Sequence, residues 1–339
     1  MPEPTVERTL EVEAAVAVTI ANRSGRTSVL GWERLQVKVI ATVRYSGPPR
    51  DAQPYVDDVA AGIRQLGNDV YIEAPTGGGY GGLLTLFSGR PRIDYEVWMP
   101  RSGSLRAESR SGDVRASEID GGVELDSRSG SIETAKLGSD LRASTRSGSI
   151  HVAHVREAVK VHSASGSLKV VAAGSRVEAS AASGSIELRD VGGEVHAASA
   201  SGSISLATCG AGARLEAVSG SIEATDIGGP LRAGTISGHL EIERCTGAMD
   251  LSSVSGSLTY RGPIEGDTSV RTVSGSVRLV LPRTSRFMLD AESRTGSIRS
   301  DLTVRKWEAG GSTPSAPVPK LRVRTISGSI RLAEDVGVP

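Results

Sequence analysis

Aromatic residues are scarce in this chain, at 3% of its 339 residues. Large buried aromatic clusters, which dominate many globular cores, are therefore excluded, and the interior must be built from Val, Ile, Leu and Ala. Glycine, in contrast, is abundant at 41 residues. Because glycine serves tight turns and close backbone contacts, this composition predicts a chain with many corners and a narrow aliphatic core.

The chain also lacks an excess of either charge, with 39 basic and 39 acidic residues. Nothing in this balance attracts a phosphate backbone, so nucleic acid is not an expected partner. No run of about 18 apolar residues is present, which argues against a transmembrane helix, and the first residues lack the basic and apolar regions of a secretory signal. We expect a soluble, cytoplasmic protein, with peripheral membrane contact as the alternative.

The most informative feature is a Ser-Gly-Ser triplet, or a close variant, that returns every 18 residues. A fixed period of this length is typical of a solenoid, in which one structural unit stacks on copies of itself. The glycines of the triplets are Gly112, Gly130, Gly148, Gly166, Gly184, Gly202, Gly220, Gly238 and Gly256.

Each period predicts one coil of two short strands. We number the phase of a residue from the corner glycine of its triplet. Phases 2, 4, 7 and 11 are mostly apolar and alternate with polar phases, as expected for strands with one buried face. Equal phases lie above one another at about 4.8 Å per coil, so opposite charges at phases 3 and 12 can pair vertically. The predicted fold is an all-β, single-stranded parallel β-solenoid with an 18-residue coil and one short helix near the N-terminus.

The period divides the chain into four predicted regions. Residues 1–100 hold irregular coils, a short helix within Pro54–Leu66 and a glycine-rich loop. Residues 101–300 form the regular solenoid, residues 301–320 an exposed loop, and residues 321–339 a final coil from Leu321 to Leu332.

In the first region, three further features are predicted. Val16–Ile20 and Leu35–Ile40 are expected to be strands of opening coils around a corner at Ser24-Gly25. Residues 69–74 and 92–99 are expected to form a strand pair that flanks the glycine-rich loop.

The two cysteines, Cys209 and Cys245, share phase 7 and lie two periods apart, with Ile227 between them. Two coil rises give about 9.6 Å, whereas a disulfide bridges at most about 7 Å between Cα atoms. We therefore expect both cysteines to be buried, reduced and unbonded.

No pattern of catalytic or cofactor-binding residues stands out. The acidic residues are dispersed, no G-x-S-x-G segment is present, and the corner residue is Ser where a calcium-binding roll requires Asp. Only His151 and His154 are close in sequence among the five histidines, without a third ligand at a matching phase. The prediction is no enzyme, no metal and no cofactor, with a carbohydrate-active β-helix enzyme as a distant alternative.

Two groups of residues are candidate sites. The first is a column of arginines at phase −2, Arg110, Arg128 and Arg146. Three stacked like charges are unfavourable without counter-ions. Either Glu108 and Asp126 neutralise the column or it binds an anion such as a sugar acid.

The second candidate is the segment Gly77–Phe87, which carries an apolar cluster outside the periodic pattern. It either folds back as a cap on the first coil or docks on a membrane or partner. The side chains of this possible docking loop are Tyr80, Leu83, Leu84, Leu86 and Phe87.

The repeated S-G-S-[IVL] corners, the early Val-Thr-Ile-Ala-Asn-Arg-Ser-Gly segment and the late Arg294-Thr295-Gly296-Ser297-Ile298 segment resemble a bacterial candidate-adhesin β-strand-repeat family. Its domains have no established function and are grouped with the toastrack β-helix domains that accompany envelope-stress proteins. The resemblance implies a right-handed β-helix and an association with the cell envelope, and it carries no catalytic residues.

Composition, period and resemblance together favour a non-enzymatic scaffold or adhesin-like binding protein, linked to the cell envelope or to envelope stress, with a protein or envelope-surface partner. The alternative is a structural protein that assembles end to end through its solenoid ends, like a cytoskeletal β-helix, because open ends are unpaired edge strands.

Overall fold

A computed structural model describes residues 3–45, 53–75, 91–302 and 318–335. The chain divides into two compact units, unit 1 (Met1–Val170) and unit 2 (Val171–Pro339). Each unit contains strands of two sheets. Every regular coil contributes one strand to the first sheet and one to the second.

Unit 1 begins with elements outside the regular repeat. These are β1 (Thr5–Glu11), β2 (Ala17–Ser24), β3 (Thr27–Trp32), β4 (Gln36–Arg44), α1 (Gln53–Gly62), β5 (Ile63–Leu66), β6 (Asp69–Glu73) and β7 (Arg92–Pro100). The regular coils follow as β8 (Ser104–Ser111), β9 (Val114–Ser117), β10 (Val123–Ser129), β11 (Ile132–Leu137), β12 (Leu141–Ser147), β13 (Ile150–Val155), β14 (Val159–Ser165) and β15 (Leu168–Ala173), which contains the unit boundary.

The regular strands of unit 1 pair in parallel at an offset of 18 residues. Strands β9, β11 and β13 are neighbours in one sheet, and β8, β10, β12 and β14 in the other. Ile132, for example, lies beside Val114 on one side and Ile150 on the other. The predicted register and solenoid architecture are therefore confirmed.

The irregular start of unit 1 differs from the prediction in three respects. Strand β4 is not part of an opening coil, because it pairs antiparallel with β1 and β7, whereas β2 and β3 meet at the Ser24-Gly25 corner. The helix ends at Gly62, since Ile63–Leu66 forms an antiparallel hairpin with β6 around Gly67, whose φ is +63°. The predicted pairing of residues 69–74 with 92–99 is wrong, because β6 extends the sheet of β2 and β7 lies in the other sheet between β3 and β4.

Unit 2 continues the coils in regular order. Its strands are β16 (Val177–Ser183), β17 (Ile186–Val191), β18 (Val195–Ser199), β19 (Ile204–Cys209), β20 (Ala213–Ala217), β21 (Ile222–Ile227), β22 (Leu231–Ser237), β23 (Leu240–Cys245), β24 (Met249–Ser255), β25 (Leu258–Arg261), β26 (Thr268–Ser274), β27 (Val277–Leu281), β28 (Met288–Ser293), β29 (Ile298–Ser300), β30 (Lys320–Ser327) and β31 (Ile330–Glu334).

The last coil in sequence is not the last coil in space. Strands β30 and β31 lie between β26/β27 on one side and β28/β29 on the other. Leu321 and Ile330 are fully buried there, whereas Ile298 of the outer coil is 45% exposed. The more apolar coil therefore occupies the covered position, and the coil predicted over Leu321–Leu332 forms but lies inside the stack.

The apolar phases form continuous buried columns within each unit. Val114 and Ile132 in unit 1, and Ile186 and Ile204 in unit 2, are at most 1% exposed. Such burial contributes roughly 1.5–3 kcal/mol for each aliphatic side chain. The core is aliphatic apart from a few buried residues such as Tyr260, as the composition predicts.

A residue with positive φ explains why phases 4 and 7 both point inward. Phase 6 holds a non-glycine residue in the left-handed region in successive coils, for example Lys136 at +56° in unit 1 and Thr208 at +63° in unit 2. This conformation is uncommon for residues with a Cβ. It shifts the inward-facing positions by one residue, so that phase 7 is buried where strict alternation would bury phase 6. The strict alternation of a flat strand is thus broken at the same place in each of these coils.

Buried hydroxyl groups bond to several of the corners. In these coils the hydroxyl at phase −3 donates a hydrogen bond to the carbonyl of the corner glycine one coil earlier, from Thr145 to Gly130 at 3.3 Å in unit 1 and from Thr235 to Gly220 at 3.1 Å in unit 2. The buried hydroxyls at the same phase of Ser127, Ser253, Thr272 and Thr325 have no hydrogen-bond partner among the described residues. A buried carbonyl without a partner costs about 1–3 kcal/mol. In these coils the capping hydroxyl therefore comes from a residue inside the core and not from the Ser-Gly-Ser triplet itself.

The corner glycines are stacked too closely for any side chain. A Cβ added to Gly220 would lie 2.1 Å from the carbonyl oxygen of Gly202, and one added to Gly130 would lie 2.1 Å from that of Gly112. Both distances are far inside van der Waals contact, and the obstacle is backbone that cannot rotate away. The glycine of each triplet is therefore required by the spacing of the coils.

We predict that Gly220→Ala lowers the free energy of unfolding by about 3 kcal/mol, because the corner must open to admit the methyl group. Gly122→Ala is the control, since a Cβ there would meet nothing within 4 Å, and its effect should stay within about 0.5 kcal/mol. Urea denaturation followed by circular dichroism measures both. Equal losses in the two variants would contradict the close-stacking explanation.

Candidate binding surfaces

The predicted arginine column exists in unit 1 as an exposed ladder. Arg110, Arg128 and Arg146 lie at the ends of β8, β10 and β12, on the outer face of one sheet, and all three are exposed. The neighbouring residues are paired in register, so the three side chains leave the sheet directly above one another. We call these three residues the arginine ladder.

The carboxylates expected to neutralise the ladder are bonded elsewhere. Glu108 accepts a hydrogen bond from Arg106 at 3.1 Å, and Asp126 accepts one from the Ser144 hydroxyl. Within residues 3–45, 53–75, 91–302 and 318–335, no ion pair is found for Arg110, Arg128 or Arg146. The structure thus leaves the ladder without the counter-ions that sequence reasoning supplied.

Sequence reasoning also missed an arginine next to this ladder. Asn22 of β2 is in register with Ser109 of β8, which places the half-buried Arg23 beside Arg110. Arg23 precedes the Ser24-Gly25 corner by the same spacing as the other arginines, and that local pattern was the available signal. The long insertion between this corner and Gly112 hides the relation from a search for an 18-residue period.

Unit 2 carries aliphatic residues at the phase that holds arginines in unit 1. Their side chains are on the outer face, and we call them the aliphatic ladder. Its members and exposures are Val218 at 48%, Ile236 at 50%, Val254 at 46%, Val273 at 45% and Ile326 at 48%. Val273 and Ile326 are far apart in sequence, so the period does not predict that they are neighbours. The parallel pairing of β26 with β30 places them on neighbouring rungs.

Elsewhere on the outer faces, vertical neighbours of opposite charge form pairs, as predicted. Arg106 bonds to Glu124 at 3.1 Å in unit 1. In unit 2 a pair stands at phase 6, which the prediction did not include. The guanidinium of Arg244 bonds to the carboxylate of Asp226, and this hydrogen bond holds the pKa of Asp226 below its usual value. Such exposed pairs contribute little stability. They neutralise the surface, which makes the two ladders at phase −2 distinct from these paired columns.

A shallow groove in unit 2 brings together polar groups that lie far apart in sequence. Glu223 and Glu241 are in register on neighbouring strands, and His239 Nδ1 lies 2.7 Å from the Ser257 hydroxyl oxygen in the same groove. Sequence reasoning treated the acidic residues as dispersed, although the shared phase 3 of the two glutamates was visible. The groove is open to water, whereas nucleophilic and acid–base sites generally exclude water from the reacting groups.

The other predicted features are placed as follows. His151 and His154 are exposed, and the described part of the chain contains no group of three or more His, Cys, Asp or Glu residues that could hold a metal. No helix among the described residues is long and apolar enough to cross a bilayer. The possible docking loop with Tyr80, Leu83, Leu84, Leu86 and Phe87 lies outside the described residues.

Comparison with protein families assigns the chain to a family. The family described as Toastrack DUF4097 matches residues 96–228 and 231–333, which together make up most of the chain. The chain belongs to the toastrack family. The matched residues include the regular coils of both units, together with the arginine ladder and the whole of the aliphatic ladder.

Solved structures similar to this toastrack chain include two candidate adhesion proteins. A candidate cell adhesion protein from Clostridium sporogenes is 10% identical, with 98% of this chain and 100% of that chain covered and a TM-score of 0.20. A candidate adhesin from Bacteroides fragilis is 10% identical, with 97% of each chain covered and a TM-score of 0.23. No curated protein matches the chain.

The two cysteines of the toastrack chain occupy the predicted positions. Cys209 and Cys245 are free, each 1% exposed, and Ile227 lies between them in register. Burial raises the pKa of both thiols. Because the thiolate is the reactive form, neither residue is suited to act as a nucleophile.

We predict that the native protein reacts slowly with a thiol reagent at pH 8, because the raised pKa values keep both thiols protonated and the core excludes the reagent. Denaturation without reductant should release two reactive thiols per chain. Absorbance of the released chromophore measures both rates. Native labelling as fast as labelling of the denatured chain would contradict the burial at phase 7.

Proposed function

We propose that this toastrack chain is a non-enzymatic, adhesin-like binding scaffold whose aliphatic ladder contacts a protein or envelope surface. The observation that carries the proposal is the ladder itself, with five aliphatic side chains, each 45–50% exposed, on successive rungs of unit 2. Contiguous exposed apolar surface on a soluble domain generally marks a contact site. The envelope is the proposed location because the family resemblance implies it.

The rigidity of the ladder supports this function. Four of its five side chains come from hydrogen-bonded parallel strands. Val218 directly follows β20, and its backbone N–H donates a hydrogen bond to the carbonyl of Ser199. Little backbone order is therefore lost when a partner binds. Val and Ile have stiff side chains, which lowers the entropic cost further. Burial of their remaining exposed surface would supply roughly 25 cal/mol per Å².

An alternative reason for these residues is strand formation alone. Val and Ile favour β-strands through their branched side chains even where they are exposed. Thr has the same branching and the volume of Val, but its hydroxyl makes the surface polar. Replacement by Thr therefore separates the contact function from the strand-forming function.

We predict that Ile236→Thr combined with Val254→Thr weakens sedimentation of the protein with isolated bacterial envelopes by about tenfold, while the melting temperature changes by less than about 3 °C. Leu35→Thr combined with Leu66→Thr is the control, since these exposed leucines lie outside the ladder. Unchanged sedimentation of the ladder variant, or an equal loss in the control, would refute the contact role.

Self-association is a second candidate function, favoured by the outermost coil of unit 2. Strands β28 and β29 each pair with a described strand on one edge only. Met288 is 55% exposed, and Ile298, in register with the buried Ile330, is 45% exposed. An open edge with apolar side chains is a template for pairing with another chain.

A paired outer coil should give a mass that rises with protein concentration in light scattering. We predict that Ile298→Lys combined with Met288→Lys keeps the protein monomeric over the same range, because charged side chains at an edge oppose pairing. Concentration-independent mass of the unmodified protein, or equal association of the variant, would exclude this mode of assembly.

A further inference from the structure

The geometry of unit 1 points to a binding site for a linear acidic polysaccharide, and we propose that the arginine ladder of Arg110, Arg128 and Arg146 holds one carboxylate on each rung. This inference extends the proposed binding function to a chemical class of ligand. It uses a different surface from the aliphatic ladder, so the two can be tested separately.

The first argument is the local charge. The outer face formed by β8, β10, β12 and β14 carries six basic and three acidic side chains, although the whole chain has no net charge. The basic residues are Arg106, Arg110, Arg128, Arg142, Arg146 and Lys160, and the acidic residues are Glu108, Glu124 and Asp126. An excess of one sign on a face attracts ligands of the opposite sign.

The second argument is that the nearby carboxylates are occupied. Glu108 and Glu124 both bond to Arg106, and Asp126 accepts a hydrogen bond from Ser144. At the corner, Asp113 accepts a hydrogen bond from the backbone N–H of Ser131. The ladder arginines therefore have free donors among the described residues, and an anionic ligand would relieve the repulsion between them.

The third argument is the spacing. Parallel strands hold the three arginines about 4.8 Å apart along a straight line, and their register is set by the hydrogen-bonded neighbours on each side. A sugar ring with its glycosidic oxygen is similar in length to one coil rise, so an extended chain of uronic acids places one residue at each rung. Successive carboxylates leave such a chain on different sides, and the long arginine side chains reach them on either side. The guanidinium fork matches a carboxylate with two parallel hydrogen bonds.

The arginine ladder ends within unit 1. Ala164 occupies the next rung after Arg146, so the site spans the three exposed ladder arginines, with Arg23 next to Arg110 at the other end. A ligand of about this length, and not a single sugar acid, is expected to use the whole ladder. Binding should therefore increase with oligosaccharide length up to a few residues.

The test uses the full chain and a fluorescent oligomer of six galacturonic acid residues, with binding followed by anisotropy at low salt. Arg128→Gln should weaken binding by about tenfold, as expected for loss of one charged hydrogen-bonded pair. The triple change of Arg110, Arg128 and Arg146 to Gln should abolish binding. Arg128→Lys should give an intermediate loss, because it keeps the charge but not the fork.

The matched control removes the same number of charges from the other sheet, by changing Arg115, Arg189 and Arg278 to Gln. These residues are exposed on strands of the other sheet, and their replacement should leave affinity within about twofold. The methyl-esterified oligomer, which has the same length without charges, should not bind. A rise in melting temperature with the acidic oligomer, absent in the ladder triple variant, provides an independent readout.

Equal losses in the ladder and control variants would show that only net charge matters and would overturn the site. Tighter binding of a polyphosphate chain than of the acidic oligomer would overturn the assignment to a polysaccharide. Failure of this proposal leaves the envelope sedimentation of the Ile236 and Val254 variants unaffected, so the proposed function stands or falls by its own test.

Discussion

The close stacking of the corner glycines is the constraint on which the rest of the structure depends. Successive corners approach until the carbonyl oxygen of Gly202 occupies the space that a Cβ of Gly220 would need. Thr235 satisfies the carbonyl of Gly220 from inside the core. Backbone contact and buried hydrogen bonding thus set one coil directly on the next. Every other position is held at the same spacing as a result.

That spacing decides which residues become neighbours on the outer faces. Residues at equal phase become neighbours at about 4.8 Å, whatever their distance in sequence, so any substitution repeated at one phase produces a straight ladder. Pairs such as Arg106 and Glu124 neutralise much of this surface. Phase −2 departs from the pattern, because Arg110, Arg128 and Arg146 in unit 1 have no ion pair among the described residues and unit 2 carries half-exposed aliphatic residues there. A scaffold with rigid ladders of different chemistry is suited to binding extended partners.

The same geometry decides how the reactive groups of unit 2 are exposed. The groove with Glu223, His239, Glu241 and Ser257 collects groups that are common in active sites. They stand on a flat, water-exposed sheet, where electrostatic effects on a reacting group are weak. The two cysteines, which could serve as nucleophiles, are buried with raised pKa values.

The sequence by itself determined the coil length, the buried phases and the unbonded cysteines, because each depends on a local pattern repeated at a fixed interval. Tertiary structure decided the parts that break the interval. The antiparallel position of β4, the strand β5 after Gly62 and the insertion of β30 and β31 beside β26 and β27 depend on which distant strand offers a free edge and a matching apolar face. The positions of Arg23 beside Arg110 and of Ile326 beside Val273 depend on the same distant pairings, because the intervals between these residues are not multiples of the period.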